Sequence, residues 1–168
     1  MKKLSWLGAL AVLGLLLGSC SQKDNVSRTL EVDVSGGEVV AQTDTHGGFH
    51  GDGTAYLALR FADDALQEEI EASEVWRAFP LDDTVRALVY GIEGEADGVG
   101  WCVGPYLTDA DGEALVPEIE EGYYRLIDHQ AEEGKATGAD ILHRASFNFA
   151  LGLYDSREDI LYFCELDT

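Results

Sequence analysis

The feature that most limits what this chain can fold into is an apolar run at its N-terminus. Leu4 to Leu17 is almost uninterrupted apolar sequence, and Lys2 and Lys3 precede it. A helix of about 14 residues spans about 21 Å, which is short of the roughly 30 Å hydrocarbon core of a bilayer. A basic start followed by a short apolar run is typical of a secretion signal. We therefore expect Met1 to Ser19 to be a cleaved signal peptide that takes no part in the fold.

The apolar run ends in Leu17, Gly18, Ser19 and Cys20, which are an aliphatic residue, two small residues and a cysteine. This segment resembles the lipobox of bacterial lipoproteins. The resemblance implies that the Cys20 thiol receives a diacylglycerol, that the peptide bond before it is cut, and that acyl chains such as palmitate anchor the protein to the cell envelope. An uncleaved anchor or a secretory signal without lipid is the alternative interpretation.

The remaining sequence divides into a short linker and one domain. Cys20 to Ser27 is predicted to be the lipidated residue and its tether, because Ser21 to Ser27 is polar and has no periodicity. Residues 28–168 number about 140, which is enough for one hydrophobic core and too few for two ordinary domains. The sequence therefore predicts a single globular domain behind a lipid anchor.

The chain is strongly acidic, with a formal net charge of −21, and loss of Lys2 and Lys3 with the signal lowers this to −23. Nucleic-acid affinity comes mainly from cationic side chains on phosphates, so a DNA or RNA partner is not expected. The expected partners are the membrane, through the N-terminal lipid, and an envelope protein, a glycan or a small ligand.

Alternating apolar residues predict several strands and one clear helix. Asp63 or Asp64 is expected to cap a helix that buries Leu66 and Ile70, while Thr84–Tyr90 is predicted as either a strand or a short helix. The pattern lacks repeated strand–helix crossovers, so we predict an α+β fold with a mostly antiparallel sheet. The predicted strands are Thr29–Val34, Glu38–Thr43, Thr54–Phe61, Tyr123–Asp128 and a hairpin of Ser146–Tyr154 with Ile160–Leu166.

The segment Asp44–Gly53 is the most unusual of the domain, since it concentrates His46, His50, Asp52 and several glycines. Imidazole and carboxylate groups are a plausible donor set for a divalent metal, although their spacing matches no established template. The alternative is that the glycines simply make tight turns before the next strand. We take His46, Phe49, His50, Asp52 and His129 as candidate binding residues, and His46, His50 and Asp52 as candidate metal ligands.

The two cysteines that follow Cys20 leave two alternatives open. Cys102 and Cys164 would form a disulfide in an exported protein if they lie close together, because disulfides persist outside the cytoplasm. They would otherwise be two unpaired thiols. The sequence pattern does not distinguish between these states.

No catalytic signature points to a reaction. The chain lacks a phosphate-binding loop and a Gly-x-Ser-x-Gly elbow, and its cysteines have no local nucleophile pattern. We therefore favour a ligand- or partner-binding module over an enzyme. A metal-binding protein or metal-dependent enzyme that uses the His46–Gly53 loop is the alternative, and no other cofactor is indicated.

The globular part also resembles a family of small exported bacterial proteins. The resemblance lies in His46–Gly53, in Tyr123–Tyr124 leading to Asp128 and His129, and in the endings Ser146–Phe149 and Glu165–Thr168. It implies a shared fold and a shared site, but it carries no reaction with it.

Overall fold

A six-stranded antiparallel sheet forms the centre of the fold, as seen in a computed structural model that describes residues 22–47, 51–132 and 137–168. The predicted α+β class with a mostly antiparallel sheet is confirmed. The helices are α1 (residues 22–30), α2 (Ala65–Glu71) and α3 (Asp83–Val89), with one 3-10 turn at Ile141–His143. The strands are β1 (Glu38–Asp44), β2 (Gly53–Arg60), β3 (Arg77–Ala78), β4 (Ile92–Ala96), β5 (Val99–Val103), β6 (Gly122–Asp128), β7 (Asn148–Asp155) and β8 (Ile160–Asp167).

The large sheet has the strand order β1-β2-β8-β7-β6-β3, and every pair of adjacent strands in it is antiparallel. The predicted C-terminal hairpin of β7 and β8 lies in its middle, with β2 and β6 on either side. Strand β1 lies at one edge, and the two-residue strand β3 lies at the other. Strands β4 and β5 form a separate hairpin.

Both faces of the sheet are covered, because side chains alternate between the faces along each strand. The face that carries Leu57, Leu161 and Phe163, called here the Phe163 face, packs against α1 and α2. The opposite face, called the Cys164 face after its buried central residue, packs against α3 and the segments that follow it. Strands β7 and β8 are therefore buried on both sides, which explains their nearly continuous apolar sequence.

Helix α1 replaces the strand that the sequence predicts at Thr29–Val34, so that prediction is wrong. Leu30, Val32 and Val34 are all buried, but Leu30 ends the helix and the two valines lie in an irregular segment. The main-chain N–H of Val34 donates to the Ser27 hydroxyl at 3.1 Å instead of to a neighbouring strand. The alternating apolar residues of this segment are buried on the Phe163 face although the segment does not pair with a strand.

The predicted tether is also corrected by α1. Residues 22–27 are helical, and Val26 is fully buried on the Phe163 face. The amino group of Lys23 donates to the main-chain oxygens of Ser35 and Gly37. This polar segment is therefore packed against the domain and does not act as a free linker.

The other two helices begin at aspartates. The predicted helix is α2, which buries Leu66 and Ile70 as expected. The ambiguous segment Thr84–Tyr90 lies mostly within α3, where the carboxylate of Asp82 accepts the Val85 N–H at 2.9 Å. This N-terminal cap favours the helical alternative.

Three sets of predictions lie outside the described residues: the signal peptide Met1–Ser19, the lipidation site Cys20, and the loop residues Phe49 and His50. Within the described ranges, no helix has both the length and the apolar character needed to span a bilayer.

Candidate functional site

The candidate site lies at the end of the sheet where β1 and β8 finish and β2 and β7 start. The strand registers align Asp44, Ala55, Glu165, Ala150 and Ile127 in one row across five strands. Directly paired residues of an antiparallel sheet point to the same face. Glu165 is consequently a half-buried carboxylate on the Phe163 face, and an alanine lies opposite it on each of the two neighbouring strands.

Two threonines close the loop that carries His46. The main-chain N–H of Thr54 donates to the Thr45 hydroxyl at 2.8 Å, and the Thr45 N–H donates to the Thr54 oxygen at 2.9 Å. Gly53 lies beneath the loop, and a β-carbon at that position would be 2.5 Å from the Cα of His46. The absence of a side chain at Gly53 thus allows the chain to bring His46 over the start of β2.

A carboxylate orients the His46 ring. Nδ1–H of His46 donates to Oδ1 of Asp44 at 2.8 Å, and the main-chain N–H of His46 donates to the same oxygen at 2.9 Å. These bonds hold the pKa of Asp44 below its usual range. Because a carboxylate can only accept, Nδ1 carries a proton, and in the neutral form of the ring Nε2 is then the acceptor nitrogen. An imidazole oriented in this way is suited to accept a hydrogen bond or to bind a metal ion.

Glu165 is the site residue that the sequence reasoning missed. Burial raises its pKa, the charges of His46 and His129 oppose this effect, and Asp44 adds to it. A sequence signal was present, because Glu165 follows Leu161 and Phe163 at every second position of β8 and therefore shares their inward-facing side of the strand. An acidic residue at such an inward position is uncommon and is a reason to suspect a functional site.

His129 reaches the same region from β6. It follows the last residue of that strand, and its N–H donates to the Asn148 oxygen at 3.0 Å. His129 is exposed, and its charge, like that of His46, opposes the rise in the pKa of Glu165. The two chain-distant histidines therefore influence one carboxylate.

Asp128 directly precedes His129 but does not join this cluster. Asp128 pairs with Phe149, which in turn pairs with Leu166, and this register places the Asp128 side chain on the Cys164 face. There it accepts two bonds from Arg144, at 2.6 and 2.7 Å, and its side chain is fully buried. Although burial raises the pKa of Asp128, these hydrogen bonds more than compensate and hold it below its usual range.

Of the three candidate metal ligands, the structure describes His46 and Asp52, while His50 lies outside the described residues. Asp52 is exposed and immediately precedes β2. Across residues 22–47, 51–132 and 137–168, no group of three histidine, cysteine, aspartate or glutamate side chains is arranged to hold a metal ion. A metal centre that includes His46 would thus need a donor from outside these ranges, such as the predicted ligand His50.

The thiols of Cys102 and Cys164 are free, so the structure agrees with the second of the two alternatives and not with the disulfide. Cys102 is exposed in the separate β4–β5 hairpin, and Cys164 is buried in the centre of the large sheet. Burial raises the pKa of the Cys164 thiol to about 12. Cys164 is therefore a packing residue and carries no thiolate at neutral pH.

Comparisons with protein-family models, with curated proteins and with solved structures find no match for this chain.

Proposed function

We propose that this chain is a lipid-anchored extracytoplasmic protein that binds a ligand or partner at the sheet end formed by Asp44, His46, His129 and Glu165, called here the His46–Glu165 site. The main observation in support is that the half-buried Glu165 carboxylate lies between alanines, and that imidazoles from two distant parts of the chain lower its pKa. Binding residues tend to lie on loops held by a rigid scaffold, and His46 and His129 each follow a strand of the large sheet.

The chemistry of the site favours a ligand that presents hydrogen-bond donors or a positive charge. Nε2 is the acceptor nitrogen of the neutral His46 ring, and Glu165 supplies a carboxylate in a partly desolvated setting where electrostatic interactions are stronger than in water. No hydroxyl, thiol or amino side chain within the described ranges is hydrogen-bonded to either imidazole. This arrangement supports binding better than nucleophilic catalysis.

The anchor is tested in cells by feeding an alkyne analogue of palmitate and comparing the wild-type chain with Cys20→Ser. The proposal expects the wild type to be labelled and recovered with membranes. The variant should lose the label and accumulate at the size of the uncleaved precursor. Equal labelling of both chains, or no labelling of either, contradicts the lipid anchor.

The binding site is tested by photo-cross-linking in the same cells. A benzoylphenylalanine at Asp52, next to the His46 loop, is combined with Glu165→Gln or with Glu113→Gln. Glu113 is an exposed turn residue and serves as the matched control. The proposal expects a discrete cross-linked product that Glu165→Gln abolishes and Glu113→Gln leaves intact. A product that persists in Glu165→Gln places binding elsewhere.

A divalent metal is the second candidate ligand, and the observation that favours it is the Asp44–His46 hydrogen bond. That bond fixes the tautomer in which Nε2 is free to coordinate. The test is elemental analysis of the full chain purified in detergent without chelators, with His46→Ala and His50→Ala as variants. About one metal equivalent that disappears in both variants supports this candidate. A metal-free chain whose melting temperature is unchanged by zinc, manganese or calcium rejects it.

A further inference from the structure

A groove of about 410 Å³ runs along the edge of the large sheet at β6. Its volume is within the range of ligand-binding pockets. It is distant in the chain from the His46 loop and uses none of the residues of the His46–Glu165 site. Its walls are formed by Val75 and Arg77 on one side, by Thr137 and Ala139 on the other, and by Leu126 of β6 at its base.

The groove exists because β3 pairs with β6 over only two residues. Arg77 lies opposite Tyr124, and the Phe79 N–H donates to the Gly122 oxygen at 3.0 Å. Continuing this register would place Val75 opposite Leu126. The N–H of Val75 instead donates to the Ser73 hydroxyl at 3.4 Å, so the chain leaves the sheet before it reaches Leu126.

The main chain of Leu126 faces this gap. Along an antiparallel strand the N–H and C=O groups of successive residues point alternately to the two neighbouring strands. Gly122 bonds outward to Phe79, whereas the His129 N–H bonds inward to Asn148 of β7. By this alternation, Leu126 directs both of its main-chain groups outward, and no described residue hydrogen-bonds to either of them.

The far wall of the groove is held in place by the Asp128 carboxylate. Besides its bonds from Arg144, it accepts the main-chain N–H of Gln130 at 3.0 Å and that of Gly138. Gly138 crosses closely over Leu126, where a β-carbon would be 2.7 Å from Cδ2. The open edge of β6 is thus preformed and does not depend on a ligand for its shape.

The groove also offers an apolar contact and a negative charge. The side chain of Val75 is 46% exposed at the rim. The guanidinium of Arg77 pairs with Asp82 and that of Arg125 with Glu31, while Glu74 forms no ion pair with any described residue. Together with a net charge of −21, the unpaired Glu74 favours a basic ligand.

We propose that this groove binds an extended basic peptide segment of a partner protein, which is added to the sheet as a strand beside β6. Main-chain hydrogen bonds to Leu126 hold the peptide, Val75 contacts one of its apolar side chains, and Glu74 attracts its Lys or Arg residues. An exposed sheet edge with unpaired main-chain groups is the structural requirement for this mode of recognition.

The experiment selects linear heptapeptides from a random phage library on the full chain in detergent. The recovered peptide is synthesised with a fluorescent label, and its affinity is measured by anisotropy. Leu126→Pro removes the outward N–H and also shortens the side chain, whereas Leu126→Ala shortens the side chain and keeps that N–H. We expect Leu126→Pro to weaken binding about tenfold or more relative to Leu126→Ala, and Glu74→Lys to weaken it at low salt.

A second arm keeps the test decisive if Leu126→Pro does not fold. Two versions of the peptide are N-methylated at alternate amides, so that only one version loses the N–H groups that face β6. Strand addition expects one version to bind like the parent and the other to fail. Failure to recover any peptide, or equal binding of both methylated versions, overturns the proposal. So does concentration-dependent self-association that Leu126→Pro abolishes, because a second copy would then fill the groove.

Discussion

The α-carbon of Gly53 lies so close beneath the main chain of His46 that a β-carbon on it would be 2.5 Å from the Cα and 2.6 Å from the N of His46. Both neighbouring atoms belong to the backbone, which cannot rotate away as a flexible side chain can. The position of the His46 ring over the start of β2 therefore depends on a glycine one strand away.

Gly53→Ala should displace the His46 loop and destabilise the protein by about 2 kcal/mol, as overpacking of a closed contact usually does. Urea unfolding of the full chain in detergent measures the change. Gly47→Ala is the matched control in the same loop, because its β-carbon would meet only the Thr45 oxygen at 3.9 Å. We expect the control to stay within about 0.5 kcal/mol of wild type. Equal effects of the two variants contradict the close packing of Gly53 and His46.

Glu165 should make the protein less stable as the pH rises. Burial raises its pKa in the folded state above the usual 4.5, so the folded state binds more protons than the unfolded state between these two values. Stability falls as the pH rises through that interval and then stays lower. Glu165→Gln should remove this slope and raise the melting temperature at pH 7 by roughly 2 °C or more, with no gain at pH 4. Melting curves from pH 4 to 8 test this, and an unchanged slope in the variant contradicts it.

Breaking the Asp128–Arg144 pair should have the opposite pH signature. The pKa of Asp128 is held below its usual value of 3.8, so its stabilising effect is present above that pH and is lost as the pH falls through the lowered value. Asp128→Asn should lower the free energy of unfolding at pH 7 by about 3 kcal/mol, since it removes a fully buried charged partner.

The matched control for Asp128→Asn is Asp111→Asn, which changes an exposed turn residue. Denaturant unfolding at pH 7 and pH 3 should show a large loss for Asp128→Asn that shrinks at the lower pH, and little change for the control. A loss that is the same at both pH values argues against the ion pair as its source.

The two free thiols should differ sharply in reactivity. In a Cys20→Ser chain at pH 8, Ellman's reagent should modify the exposed Cys102 quickly and leave Cys164 unmodified until denaturant is added. Burial and a pKa of about 12 both protect the Cys164 thiol. Cys102→Ser should abolish the fast phase. Absence of any free thiol in the oxidised, folded chain would instead indicate the disulfide.

The sequence pattern predicted the sheet better than the chain segments that cover it. The hairpin of β7 and β8 is recognisable because both strands are buried on two sides and are nearly continuously apolar, and most of β2 is buried as well. Helix α1 was predicted as a tether followed by a strand, since only Val26 and Leu30 of its residues are buried. A polar helix that packs through two side chains has almost no periodic signal.

The candidate site was predicted in part for a related reason. His46 and His129 were identified from their residue type and their loop positions, and both do act on one end of the sheet. Glu165 was missed because its role depends on the registers of β2, β7 and β8, which place alanines on either side of it. Asp128 stays apart from Glu165 because successive residues along a strand point to opposite faces, and its register places it on the Cys164 face.

Helix α1 also determines where the proposed lipid would be attached relative to the domain. The described part of α1 starts two residues after Cys20, so the Cα atom of Cys20 lies within about 7 Å of that start. The Lys23 side chain fastens the first turn of α1 beside Gly37, just before β1, while His46 follows the far end of that strand. Seven strand residues cover about 23 Å. With the proposed lipid at Cys20, the point of attachment and the His46–Glu165 site would therefore lie at opposite ends of β1.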